Sequence, residues 1–210
     1  MSEFVFVENL SQELSECEIS TKEVLRYMAN AGEDDNSGAL INECKDLCRS
    51  LSKAKACYRI YDIKFDPNDT NLIDLGFCKV SSKALSKNLY GCKRIVLFAA
   101  TVGIEFDRMI SKYSRVSPSR SLCINAIGSE RVERLCDLFC DMLCQKYGKL
   151  RSRFSAGYGD VPLSLQSDIF AALECPKHIG VTINDSNFMT PIKSVTAIVG
   201  IEELDSYERY

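Results

Sequence analysis

The 210-residue chain has a single histidine, His178, and no C-x-x-C pair among its eleven cysteines. A Ser-His-Asp or Cys-His nucleophile system could be built only around His178, which lies in the turn Cys175-Pro176-Lys177-His178-Ile179-Gly180, where a plain surface role is the ordinary one. G-x-G-x-x-G and Walker-type loops are missing as well, which argues against dinucleotide and nucleoside-triphosphate chemistry of the common kinds. There is no block of Lys or Arg, and the net charge is only -3, so nothing electrostatic points to nucleic acid or an anionic membrane as partner. The longest apolar run, Ile95 to Ile104, is broken by Thr101 and Gly103. It falls short of the about 20 residues that span a bilayer and reads as a buried strand with its following turn. The opening MSEFVFVENLSQELSE carries acid where a secretory signal needs base, so a cytoplasmic protein is expected.

With 46% hydrophobic and 26% charged residues the composition is that of a soluble globular domain, and at this length roughly 70% of the unfolded surface can be buried. Thiols of an unexported chain stay reduced. Cys44 and Cys48, then Cys136, Cys140 and Cys144, recur every four residues and so stack on helix faces. A step of about 6 Å along the axis is too long for one metal to take all three of the second set, which favours an apolar core face. A thiol or metal protein using that face remains the contrasting possibility.

No repeat or linker divides the chain, which is expected to form one continuous domain with a helical region over 1–55 and an α+β region over 56–210. Ser20 and Glu23 have capping-box spacing and open a helix through EVLRYMANA that stops at Gly32, ahead of the polar turn GEDDNSG. Leu40, Cys44, Leu47, Cys48 and Leu51 mark a second helix to about Lys53. Tyr61, Ile63 and Phe65 alternate with polar residues as a half-buried strand, with Leu72 to Val80 as its hairpin partner. A short helix at Ala84 to Leu89 leads to the strongest strand signal, Arg94 to Ala100. An amphipathic helix with Ile104, Phe106, Met109 and Ile110 follows, then one long helix from about Ser119 to Tyr147. Gly128 inside that helix implies that something packs close against it. A Gly-rich turn, a helix through LQSDIFAAL and extended pieces ending in Ser194 to Ile201 complete the chain. The expected class is α+β, with helices and a mostly antiparallel twisted sheet; βα steps over residues 93–116 leave a mixed sheet open.

The most informative segment is Arg153-Phe154-Ser155-Ala156-Gly157-Tyr158-Gly159-Asp160-Val161-Pro162. Two glycines around a tyrosine let backbone approach a ligand closely, and an arginine five residues earlier offers a planar fork suited to a carboxylate. The bland alternative is a surface turn with a solvated arginine. Glu133, one helical turn after Ser129, could receive an ammonium or ribose hydroxyls, or simply face solvent.

Arg153-x-x-x-Gly157-Tyr158 is similar to the R-x-x-x-G-Y motif of the activation domain of cobalamin-dependent methionine synthase, and Pro162 falls where that family also has a proline. Asp185-Ser186, Met189, Pro191 and Ser194-Val195 resemble a second pattern of the same family at matching spacing. The two motifs cover about 50 residues. The resemblance implies a free-standing version of that domain, of methionine synthase activation-domain fold, which binds S-adenosylmethionine through Arg153, Gly157, Tyr158, Asp160 and Glu133. It implies an accessory role in reductive reactivation. A one-electron donor such as a flavodoxin-like protein returns oxidised cobalt to cobalt(I), and S-adenosylmethionine supplies the trapping methyl. The cobalamin belongs to the partner, the cobalamin-binding domain of a separate synthase or related corrinoid protein. Asp160 stands where the family has small residues, and Thr190 where it has an aromatic. Residues 1–55 offer no clear counterpart to the family's acidic ligand contact near the start of the domain. Asp160 and the unmatched N-terminal region favour the contrasting reading, a non-catalytic adaptor or escort of another corrinoid protein.

Overall fold

The apolar run around Ile95 forms the centre of the molecule, whose computed structural model describes residues 4–28 and 37–202. Strand β6 (Arg94–Thr101) is buried at every position but its first. It lies between β2 (Lys55–Asp62) and β9 (Ser194–Ile201), and β1 (Phe6–Asn9) flanks β2, so the sheet runs β1-β2-β6-β9. All of its pairings are antiparallel, and the register sets Phe98 beside Tyr58 and Ala197. The mixed sheet left open by the sequence is not formed among the described residues.

Because successive side chains on a strand point to opposite faces, the β6 run feeds two cores. Val96, Phe98 and Ala100 join one cluster; Ile95, Leu97 and Ala99 join the other. The first face is covered by α1 (Ser11–Glu16), α2 (Thr21–Tyr27), α3 (Ser37–Cys48), α5 (Glu105–Ser114) and the long α6 (Pro118–Tyr147). Leu14, Val24 and Ile41 of the N-terminal helices share that core with Phe106 and Phe139. The second face carries α4 (Lys83–Leu89), α7 (Leu165–Leu173) and α8 (Cys175–Ile179). Two small sheets complete it: β3 (Lys64–Phe65), β4 (Leu72–Asp74) and β5 (Lys79–Ser81), then β7 (Thr182–Ile183) with β8 (Met189–Thr190). The class is therefore α+β, with helices on both sides of an antiparallel sheet.

Several elements differ from the periodicity reading for physical reasons. The strand expected over Tyr61 to Phe65 is the end of β2 and, after Ile63, the separate β3. The run of buried residues Ala56, Cys57 and Tyr58, covered on both faces, hides the start of β2 from an alternation test. The hairpin partner over Leu72 to Val80 is two strands, turned by a Leu75 N–H to Cys78 carbonyl bond of 2.9 Å, with Gly76 at φ +81. β1 and α1 were not anticipated, and α2 ends at Tyr27 with its C-cap at Met28, short of the expected stop at Gly32, which itself lies outside the described residues. The capping box is formed at its serine, whose Oγ accepts the Glu23 N–H at 3.3 Å.

The glycine in α6 has the close neighbours its sequence context implied. A Cβ on Gly128 would lie 2.9 Å from Phe106 Cδ1 and 3.1 Å from the Lys193 stem. Lys193 is itself buried, its Nζ donating to Asn125 Oδ1 at 2.8 Å and Ser129 Oγ at 2.9 Å. Of the cysteine face on α6, Cys136 is buried, Cys140 half-buried and Cys144 exposed. Burial pushes the Cys136 thiol up to about 12 and Cys140 to about 11, so neither is a thiolate at neutral pH. No group of three metal-binding side chains occurs among the described residues, and none of the described helices is long and apolar enough to cross a membrane.

Candidate functional site

After α6 the chain ends its helix at Gly148, which adopts φ +90, and returns along the free edge of β9. Bridges Leu150–Ile201 and Phe154–Ile198, with Phe154 and Ile198 exchanging N–H to C=O bonds of 2.9 and 2.8 Å, make residues 150–154 an added edge arm. At the end of this arm Phe154 enters the α7-side core, while its neighbour Arg153 turns to α6.

There the Arg153 Nη2 meets Glu133 Oε2 at 2.9 Å and Asp137 Oδ1 at 3.2 Å. The arginine side chain is 27% exposed and the two acids about half, so the pairs are partly screened and worth less than buried ones. Arg153 Nη1 is enclosed and has no hydrogen-bond partner. A buried donor without an acceptor is a liability that a ligand carboxylate would relieve. Asp137 was missed by the sequence reading, although it lies four residues after Glu133 on the same helix face and was within reach of that argument.

Glu133 and Asp137 also line a cleft of about 470 Å³ between α6 and the segment that carries α2. Its opposite wall includes Glu18, Glu23 and Tyr27. The N-terminal region, which offered no clear acidic contact in sequence, therefore places two carboxylates across the cleft from Glu133. Glu23 is already joined to Arg26 at 2.7 Å.

The turn beyond Arg153 is tight. Gly157 and Gly159 hold φ +80 and +62, which disfavour any side chain. Gly157 N–H donates to Val161 O, and Val161 N–H to Tyr158 O, both at 3.1 Å. Ser155 Oγ anchors the turn to Thr196 O at 2.8 Å. Tyr158 is 65% exposed, and its ring meets Phe154 edge-on at 5.1 Å between centroids. Its hydroxyl end and outer face are thus available to a ligand or partner. Arg153 and Glu133 are in direct contact, whereas Gly157 lies against Leu163 and Tyr158 against Phe154, toward the α7 side of the sheet.

Asp160 has a different job. Its carboxylate accepts from the Ser82 hydroxyl, from Lys83 N–H at 2.8 Å and from Ala84 N–H at 3.3 Å, so it caps the start of α4 together with Ser82. The acid expected to touch a ligand is held by backbone donors at a helix N-terminus. The Ser82 hydroxyl, then those backbone donors, hold its carboxyl below the usual range. Because the folded value is depressed, the contribution is present above the unfolded value near ~3.9 and is lost as pH falls through the folded one. Carbon-detected NMR titration should place the Asp160 midpoint below that of a free aspartate, and Ser82→Ala should raise it. An unshifted wild-type midpoint contradicts the cap.

The second motif lies in and after the β7–β8 hairpin. Asn184 Oδ1 accepts from Ser186 and Phe188 N–H, both at 3.0 Å, and the Asn187 side chain is tied to Ser167 of α7 at 3.1 Å. Ser194 is buried and donates to Pro191 O at 2.7 Å. These residues hold the turn before β9. His178, half-buried, is 3.6 Å from Glu174, with no nucleophile paired to it among the described residues.

No family model matches the sequence, and no curated protein does. Among solved structures, the crystal structure of the MetH reactivation domain bound to AdoHcy is similar to this chain, with a TM-score of 0.71 and 15% identity. The match covers 97% of this chain and 80% of that one, so the two share a fold over nearly the whole of the molecule described here.

Proposed function

We propose that this protein binds S-adenosylmethionine at the β9-edge site and presents it to the cobalamin-binding domain of a separately encoded methionine synthase or related corrinoid protein. The observation that carries the reading is the Arg153 guanidinium, which shares Nη2 with Glu133 and Asp137 and whose Nη1 has no acceptor. The shared fold with a domain whose solved structure holds AdoHcy supports it. Arg153 pairs with the ligand carboxylate, and the acidic face made by Glu133 and Asp137 receives the ammonium or the ribose. Gly157 backbone lines the site, and exposed Tyr158 covers the sulfonium or meets the corrin. The ligand supplies an electrophilic methyl group; the protein supplies binding, orientation and a complementary field.

Leu163, beside Gly157, and Tyr158 are exposed and give the partner an apolar rim. A corrinoid protein without its own activation domain tests the role directly. Given S-adenosylmethionine and a one-electron reductant, the oxidised corrinoid should be methylated faster when this chain is added. A rate independent of the chain overturns the reactivation role and leaves the adaptor reading.

A further inference from the structure

The two edges of the main sheet are treated differently. Beyond β9 the edge is covered by residues 150–154, whereas β1 has no strand on its outer side among the described residues. Leu10 N–H donates to Ala54 O at 3.0 Å, in register with the Phe6–Tyr58 and Glu8–Ala56 pairs. Antiparallel alternation then turns the backbone groups of Phe6 and Glu8 toward β2 and those of Val7 outward. Natural edges are blunted by shortness, charge, proline or a bulge, and β1 has the first two, in its four-residue length and Glu8. The β1 residues Phe6-Val7-Glu8-Asn9 contain neither proline nor lysine, and the register with β2 is unbroken. Phe6 and Val7 are 36% and 45% exposed.

We propose that β1 pairs antiparallel with β1 of a second copy of this chain, joining two sheets into one across a two-fold axis at Val7. Such an axis makes Val7 of each copy exchange N–H to C=O bonds with Val7 of the other, and it is self-complementary as a closed dimer requires. It also makes Phe6 and Glu8 of the other copy a non-hydrogen-bonded pair, the kind in which side chains approach most closely. Phe6 stacks on Tyr58 at 5.0 Å, and Lys146 Nζ sits 5.1 Å from the Phe6 ring centre. Glu8 of the second copy is thereby brought to a face that already carries a cation, and the symmetry repeats the contact. That charge complementarity, set by Glu8 and Lys146 of one sequence, selects a second copy over an unrelated strand. The ligand site lies at the opposite edge of the sheet and stays open in the dimer.

Analytical ultracentrifugation of the full chain tests this across a concentration series. A short strand pair gives a weak dimer, so a monomer–dimer equilibrium in the micromolar range is expected. Val7→Pro removes an outward N–H that takes no part in the β2 ladder, so it should leave circular dichroism unchanged while abolishing the dimer. Glu8→Lys sets like charges opposite and should weaken association by about tenfold or more. If Val7→Pro fails to fold, Glu8→Lys decides. A chain that stays monomeric throughout, including one that instead captures another protein's strand, overturns the proposal. So does a dimer that either folded variant leaves intact.

Discussion

Replacing Arg131 with methionine is expected to lower the unfolding free energy by about 3 to 5 kcal/mol, the usual cost of leaving one member of a buried ion pair alone. Arg131 and Glu130 are only 3% and 6% exposed. The guanidinium meets Glu130 through Nε at 2.5 Å and Nη2 at 2.7 Å. Its remaining donors reach the carbonyls of Leu14, Cys17 and Glu18 at 3.3, 2.9 and 3.0 Å. These carbonyls belong to the last turn of α1 and the residues that follow, groups that a helix end leaves without internal partners. Glu130 in turn accepts the Ser20 N–H at 3.3 Å, next to the capping box of α2. One buried pair thus fastens the N-terminal segment to α6. Urea unfolding measures the loss, and Glu130→Gln combined with Arg131→Met should cost less than Arg131→Met alone, since no charge is then stranded. A loss under about 1 kcal/mol for Arg131→Met would contradict the assignment.

Arg153→Ala is expected to weaken S-adenosylmethionine binding by about 1.5 to 3 kcal/mol, the worth of a hydrogen bond to a charged group, or roughly ten- to a hundredfold in affinity. Glu133 and Asp137 already hold Nη2, which leaves Nη1 as the donor for the ligand, so the lower part of that range is the better expectation. Arg153→Lys keeps the charge but loses the planar fork and should recover only part of the affinity. Stability should change little in either variant, because both partner acids are about half exposed. Equal affinity for wild type and Arg153→Ala, measured by calorimetry, removes Arg153 from the site.

Arg131 reaches the carbonyls of Leu14, Cys17 and Glu18 and Arg153 reaches Glu133, contacts remote in sequence that leave no local signal. The Leu and Cys periodicity of α6 and the unbroken apolar run of β6 are local signals, and both elements lie within a residue or so of the expected bounds. Gly128 likewise announced a close neighbour, though not that the neighbour would be Phe106 and a buried lysine. The pairing of β1 with β2 joins residues about fifty positions apart and leaves no periodic trace in MSEFVFVEN. Glu130 and Arg131 are adjacent on α6, where neighbours do not normally face one another, so nothing local distinguished them from solvated charges. The capping role of Asp160 was hidden for the same reason: its partners, Ser82 to Ala84, lie more than seventy residues earlier. The Arg153 to Tyr158 motif was legible as a turn with a fork, but its acidic counterpart Asp137 and the cleft wall at Glu18 and Glu23 required the tertiary arrangement.

We propose that the Arg153 guanidinium and the glycine–tyrosine turn form a seat for a zwitterionic methyl donor. Isothermal titration of S-adenosylmethionine into the purified wild-type chain tests it most directly. Saturable binding of one ligand per chain, weakened in Arg153→Ala, is the predicted result. No heat of binding at ligand concentrations up to the millimolar range, from a chain shown to be folded, would contradict it.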